Sequence, residues 1–271
     1  MFHFQTFSLA VLCVALAQTR VLPNRPENIA RLRQLRPDEL AEELSGQFEG
    51  DIVLTDEQER DMLANRRNGL IAETYRWPNN VIPVMIVEAD FTPEQIEHIK
   101  RGMRQLEAVT CLKFVTYEPQ HQDYVRVMGT GSGCYSSVGR RGGAQNLNLQ
   151  PYPIETGCFR SATIVHEFIH AIGFYHQQSA SDRDEYVDII WENIEEGKEH
   201  NFNIYENSLV TDFSVRYDYG SVMHYSATAF SKNGQRTIVP KDPKAAIGQR
   251  VGMSERDISK LNHMYKCLVK G

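Results

Sequence analysis

Two periods organise the apolar positions of this chain. Val81-Ile82-Pro83-Val84-Met85-Ile86-Val87 is a continuous apolar run of strand length and predicts a buried strand. Pro83 cannot donate to a ladder, which argues for a place near a sheet edge or a strand start. Thr92-Pro93-Glu94-Gln95 predicts a helix start, with Thr as N-cap, Pro in the first turn and Gln three residues on. Ile96, Ile99, Met103 and Leu106 then share one helical face. Leu112 to Tyr117 and Tyr124 to Met128 read as further strands. Gly129-Thr130-Gly131-Ser132-Gly133 reads as a loop; it lacks the lysine and the following helix of a phosphate loop. Gln145-Asn146-Leu147-Asn148-Leu149 alternates polar and apolar, as an exposed strand does. A helix follows from about Ser161 to Gly173, with Ile164, Val165, Phe168, Ile169 and Ile172 as its apolar positions. Beyond it the pattern loses regularity until a late helix near Ser254 to Tyr265. No internal repeat or low-complexity tract interrupts the chain.

The N-terminal end has a different character. Phe7 to Ala17 is apolar and closes on Ala15-Leu16-Ala17, an A-x-A cleavage pattern, so residues 1–17 predict a secretory signal. The run is too short for a bilayer, which needs roughly 20 residues. Gln18 to Arg67 is rich in Arg, Glu, Asp, Asn and Leu with weak periodicity, and Pro37 to Leu44 can form a short helix. The segment ends in the basic pair Arg66-Arg67. It reads as a propeptide, residues 18–67, cut after Arg67 by a trypsin-like protease to leave a catalytic domain of residues 68–271. The net charge of −6 is mild, and no Lys/Arg run is long enough for a nucleic-acid footprint. No later apolar run predicts a membrane span. With Cys13 in the signal, Cys111, Cys134, Cys158 and Cys267 remain, an even set in a secreted context, which predicts two disulfides among three possible pairings.

The chemistry is concentrated in His166-Glu167-Phe168-Ile169-His170-Ala171-Ile172-Gly173-Phe174-Tyr175-His176. On a helix, His166 and His170 project from one face, with Glu167 beside them. Gly173 allows backbone angles that other residues avoid, so the chain can turn and return His176 as a third ligand. Three neutral imidazoles with one position left open is the donor set of a catalytic zinc. Downstream, Ser221-Val222-Met223-His224-Tyr225 supplies an apolar, polarisable floor in Met223 and a phenol, Tyr225, able to reach the metal or a substrate oxygen.

On these residues the chain resembles the astacin family of zinc metalloendopeptidases, within the metzincin clan. Asp182-Arg183-Asp184 and the ending Ile247-Gly248-Gln249-Arg250 through Met253-Ser254, Asp257, Lys260-Leu261-Asn262 and Tyr265-Lys266-Cys267 extend the likeness, which runs from about Asn68 to Cys267. The resemblance implies an α+β, two-lobed domain: a twisted mixed sheet and two long helices above the zinc cleft, and an irregular lower lobe with one C-terminal helix. It implies one zinc per chain on His166, His170 and His176, with Glu167 as the catalytic acid/base. Tyr225 would be a fifth ligand at rest and the oxyanion donor in turnover. It pairs Cys111 with Cys267 and Cys134 with Cys158. Phe48-Glu49-Gly50-Asp51 resembles the F-x-G-D element of astacin prosegments, which makes Asp51 the zinc ligand of a latent form. A protein or peptide substrate would lie extended along the cleft against the strand at Gln145–Leu149.

One departure stands out. Gln177 follows the third histidine where the family has Glu, and Ala180 replaces a nearby family Arg, so an ion pair to the mature N-terminus is expected to be weak or missing. The function implied is a secreted zinc endopeptidase made as a zymogen. The alternative is an inactive zinc-binding relative that serves as a secreted binding module.

Overall fold

A computed structural model of the chain describes residues 41–55, 58, 73–205 and 213–267. The signal run, residues 37–40 of the expected short helix, Arg66-Arg67 and Asn68 lie outside the described residues; residues 41–43 are helical.

A six-stranded sheet forms the upper lobe. Its strands are β1 (Ile52–Val53), β2 (Val81–Ile86), β3 (Lys113–Thr116), β4 (Tyr124–Met128), β5 (Cys134–Ser137) and β6 (Ala144–Leu149), in the order β1-β5-β6-β4-β2-β3. The β2, β3, β4 and β6 ladders are parallel, β5 is antiparallel to β6, and β1 runs parallel to β5. Two helices pack on the sheet, α1 (Pro93–Val109) and α2 (Ser161–Ala171). At the start of α1, Thr92 Oγ1 accepts from the Gln95 N–H while the Gln95 side chain accepts from the Thr92 N–H, a reciprocal cap. Ile99 and Leu106 are fully buried, with Ile96 and Met103 packed against the same core. The helices approach closely because Gly102 lacks a side chain: a Cβ there would lie 2.6 Å from Ile164 Cγ2. Each fully buried Ile, Leu or Phe of this core contributes about 1.5–3 kcal/mol relative to exposure.

Two sequence expectations change. The strand at Gln145–Leu149 is interior, held between β4 and β5. Asn146 faces solvent, but Gln145 and Asn148 are buried amides. Gln145 Nε2 donates to Gly139 O at 2.8 Å, and Asn148 Nδ2 donates to Gly131 O at 3.0 Å and Gly133 O at 2.7 Å. Hydrogen-bonded amides can occupy a core face, so period-two alternation overstated its exposure. The cleft-side edge is instead β5, carrying β1. Pro83 also lies within a strand flanked on both sides, next to edge strand β3. It is tolerated because the ladder to β4 begins one residue later, at Val84.

The lower lobe has little regular structure: a two-stranded ribbon of β7 (Val187–Ile189) and β8 (Ile238–Pro240), short 3₁₀ turns, and α3 (Glu255–Met264). Phe202, Tyr217, Tyr225, Phe230 and Ile238 form its core. Cys111 is bonded to Cys267 and Cys134 to Cys158. The first bridge ties the end of α1 to the end of α3.

After α2 the chain reverses at Gly173, whose φ is 117°. A Cβ there would lie 2.6 Å from Met264 Cε of α3. Gly173→Ala should therefore cost about 1–3 kcal/mol, read as a lowered Tm in a circular dichroism melt. An unchanged Tm would show that this turn does not require glycine.

Candidate metal centre

Helix α2 is buried along nearly its whole length, which is unusual for a segment carrying two histidines and a glutamate. His166 and His170 stand one turn apart, and the Gly173 reversal returns His176 to them. The outer nitrogen of each ring meets an acceptor. His166 Nδ1 lies 2.9 Å from Val222 O, His170 Nδ1 2.6 Å from Phe174 O, and His176 Nδ1 2.8 Å from Glu49 Oε2. Carbonyl and carboxylate oxygens only accept, so the Nδ1 atoms carry the protons and the Nε2 atoms present lone pairs. Those lone pairs converge: His166 Nε2 and His170 Nε2 are 3.0 Å apart. Asp51 joins them, with its Oδ2 3.1 Å from His166 Nε2 and 3.3 Å from His176 Nε2.

Donor atoms that face one another at such distances repel unless a cation lies among them. All four lie within 4.8 Å of one another, so they could hold one metal ion. Three imidazole nitrogens and a carboxylate oxygen form a borderline-soft, four-donor set of the kind zinc takes. The residues present fit that ion.

The electrostatics agree. Burial disfavours charge on Asp51, yet His176 and His170 hold its carboxyl well below the ordinary range. Burial lowers His170 to about 4. Burial also opposes charge on His176, but Asp51 and Glu49 outweigh it and lift that ring to about 9, so without an ion a proton on its Nε2 takes the cation's place. The cluster favours positive charge at its centre. Glu167, next to His166 on α2, is pushed well above the usual carboxyl range by burial and then by the charges of Asp51 and Glu42. Among the described residues, neither of its oxygens meets a hydrogen-bond donor. A buried carboxyl without a partner, at the rim of a metal-binding cluster, is suited to accept and return a proton.

Met223 is buried in the upper core and lines a cavity together with His176. Its turn hangs from α3. Asp257 accepts from Ser221 Oγ at 2.5 Å and from the Val222 N–H at 2.9 Å, which sets the carbonyl that orients His166. The same carboxylate caps α3 through the Ser254 N–H at 2.9 Å. Asp257 therefore both caps its helix and suspends the methionine turn. The Tyr225 ring lies 4.6 Å from that of His176, but its hydroxyl donates to the Glu49 carbonyl. The phenol thus stands beside the cluster, with its hydroxyl engaged by the N-terminal segment. Gln177 is buried and accepts from Lys260 Nζ of α3, and Ala180 packs on the lower core.

The N-terminal segment supplies more than Asp51. Glu42 forms a buried bidentate pair with Arg250, at 2.9 and 2.6 Å. Glu49 accepts from His176, Ser179 and Tyr205. Arg141 donates to Val53 O. Sequence reasoning passed over Glu42 and Glu49, because acidic residues in a polar segment give no sign that they are buried.

Comparison with known proteins follows the same lines. The model of a family described as Astacin, a peptidase family, matches residues 70–266. Meprin A subunit beta of Rattus norvegicus is 42% identical over 223 residues, which take in 81% of this chain and 29% of that protein. The chain thus spans less than a third of that relative. Seminal metalloprotease 1 of Drosophila melanogaster is 40% identical over 230 residues, 83% of this chain and 88% of that one. Among solved structures, high choriolytic enzyme 1 of Oryzias latipes, described as a hatching enzyme zinc-protease, superposes with a TM-score of 0.66 at 38% identity, covering 73% of this chain and 97% of that chain. The family match crosses both lobes and every residue of the histidine cluster except Asp51, and the chain belongs to the astacin family.

Proposed function

We propose that this chain is a secreted zinc endopeptidase, held latent by its own prosegment until it is cut near Arg67 by a trypsin-like protease. The observation that carries the reading is Asp51, whose carboxylate closes the three-imidazole cluster in the place a catalytic water needs. One zinc ion, when bound, supplies Lewis-acid polarisation of the scissile carbonyl and acidifies a water.

The rest of the chemistry belongs to the chain. His166, His170 and His176 would hold the ion, and the Val222 and Phe174 carbonyls, which stay when the prosegment goes, keep His166 and His170 in one tautomer. Glu167 accepts the proton of the attacking water and returns it to the leaving amine, which balances the hydrolysis. Tyr225, released from the Glu49 carbonyl, donates a hydrogen bond to the developing oxyanion. Met223 supplies the apolar floor. The protein or peptide substrate lies extended on the β5 edge, in the place that β1 vacates, and main-chain hydrogen bonds supply much of the grip. Neither nucleic acid nor a membrane is a partner in this reading. Among the described residues no helix is long and apolar enough to cross a membrane.

In the chain cut near Arg67, Glu167→Ala should keep one zinc per chain by elemental analysis and lower peptide hydrolysis by at least ~100-fold, the scale of general acid–base catalysis. A Glu167→Ala protein with full peptidase activity would refute the assignment. Tyr225→Phe should lower kcat by roughly 100- to 1000-fold with little change in KM, as expected for a donor used only in the transition state. An effect confined to KM would move Tyr225 to substrate binding.

A further inference from the structure

Asp51 is explained by the metal. Glu49, two residues earlier, is not. Its side chain is 1% exposed, and its φ of 47° is left-handed backbone. A non-glycine residue keeps such a conformation only where its surroundings over-determine it. Here they do. Glu49 Oε2 accepts from His176 Nδ1 at 2.8 Å, and Oε1 accepts from Ser179 Oγ at 3.1 Å and from the Tyr205 hydroxyl. The Glu49 N–H donates to Asn201 Oδ1 at 3.1 Å, and its carbonyl accepts the Tyr225 hydroxyl. One residue of the N-terminal segment is thus bonded to five partners in three separate stretches of the catalytic region.

The placement matters. Glu49 meets the ring of His176 on Nδ1, whereas the donor cluster lies on Nε2. Its carboxylate therefore holds the ring from outside, and none of its bonds needs the ion. We propose that Glu49 is a second latency element: a metal-independent clasp that keeps the prosegment in the cleft by capping the outer nitrogen of His176 and withholding the Tyr225 hydroxyl. The proposal rests on the zymogen reading above. Under it, activation has two requirements, a cut near Arg67 and withdrawal of a buried carboxylate from its donors. Loss of the Asp51 contact alone does not open the cleft.

The chemistry of the socket predicts a graded response. An acidic carboxylate can accept from all three donors. In Glu49→Gln the amide oxygen still serves Tyr205 or Ser179, but the amide nitrogen meets the His176 N–H donor to donor. In Glu49→Ala, three buried donors lose their acceptor and bear the full desolvation penalty. The buried Glu42–Arg250 pair is a further anchor, so the effect is read as a ratio of affinities rather than as all or none.

The test uses the full chain in a Glu167→Ala background, which prevents self-digestion. The chain is cut near Arg67 and treated with a chelator or with added zinc. Prosegment retention is followed by size-exclusion chromatography and mass spectrometry, with circular dichroism to confirm folding. Wild-type Glu49 and Asp51→Ala chains should both retain the prosegment without zinc. Glu49→Gln should weaken retention on the order of 100-fold with or without zinc, the scale of hydrogen bonds to a charged group. Ser179→Ala and Tyr205→Phe, each removing one donor from the opposite side, should weaken it by roughly 5- to 10-fold. They keep the test decisive if the Glu49 variants fail to fold. Release of the wild-type prosegment on zinc removal alone would overturn the clasp and leave the zymogen reading standing, as would wild-type retention in Glu49→Gln or in both donor variants. Full peptide hydrolysis by the uncut chain with Glu167 intact would instead overturn the zymogen reading.

Discussion

Three imidazoles buried with their lone pairs turned toward one point impose the condition that the rest of the molecule meets. Each ring must carry its proton on the outer nitrogen, and each outer N–H must find an acceptor, because an unpaired buried donor costs about 1–3 kcal/mol. The acceptors come from three distant places. Phe174 O is local and depends on the Gly173 reversal. Val222 O belongs to the methionine turn, which Asp257 suspends from α3. Glu49 belongs to the N-terminal segment. The irregular lower lobe is therefore organised around carbonyl placement, and the disulfide from Cys111 to Cys267 keeps α3 attached to the sheet that carries α2.

The N-terminal segment brings acid into this cleft three times, and each carboxylate finds a different answer: Arg250 for Glu42, a set of neutral donors and His176 for Glu49, and the imidazole cluster for Asp51. The field of two of them also falls on Glu167. Burial raises its affinity for a proton, and the charges of Asp51 and Glu42 raise it further. Both charges belong to the N-terminal segment, so that segment itself supplies part of what holds Glu167 high. The carboxylate that closes the histidine cluster thus also raises the proton affinity of the neighbouring Glu167.

Much of this was legible in the sequence wherever a local rule carried the information. Thr92 to Gln95 specified a helix cap, and the spacing of His166, His170, Gly173 and His176 specified a convergent donor set. What escaped depends on partners far along the chain. Gln145 and Asn148 look solvent-facing until their amides are seen bonded to the carbonyls of the β5–β6 turn and the glycine loop. Glu42 looks like an ordinary acidic helix residue until Arg250, 208 positions away, meets it. The lower core is built from aromatics on short irregular segments, such as the stacked pair Tyr186 and Tyr217 at 4.7 Å, and so has no period to detect.

The position of Asp51 follows from register. The β1 strand pairs with β5 so that Ile52 stands opposite Ser136, and the Ser136 N–H donates to Asp51 O at 2.8 Å. Side chains along a strand alternate between faces, so a slip of one residue would turn the Asp51 carboxylate away from the cluster and present a neighbour instead. The edge strand itself cannot drift, because Cys134 at its start is bonded to Cys158, within the turn that leads into α2. The segment that lies on β5 is thereby placed in fixed relation to His166 and His170. A covalently anchored strand thus decides which backbone unit meets the histidine cluster.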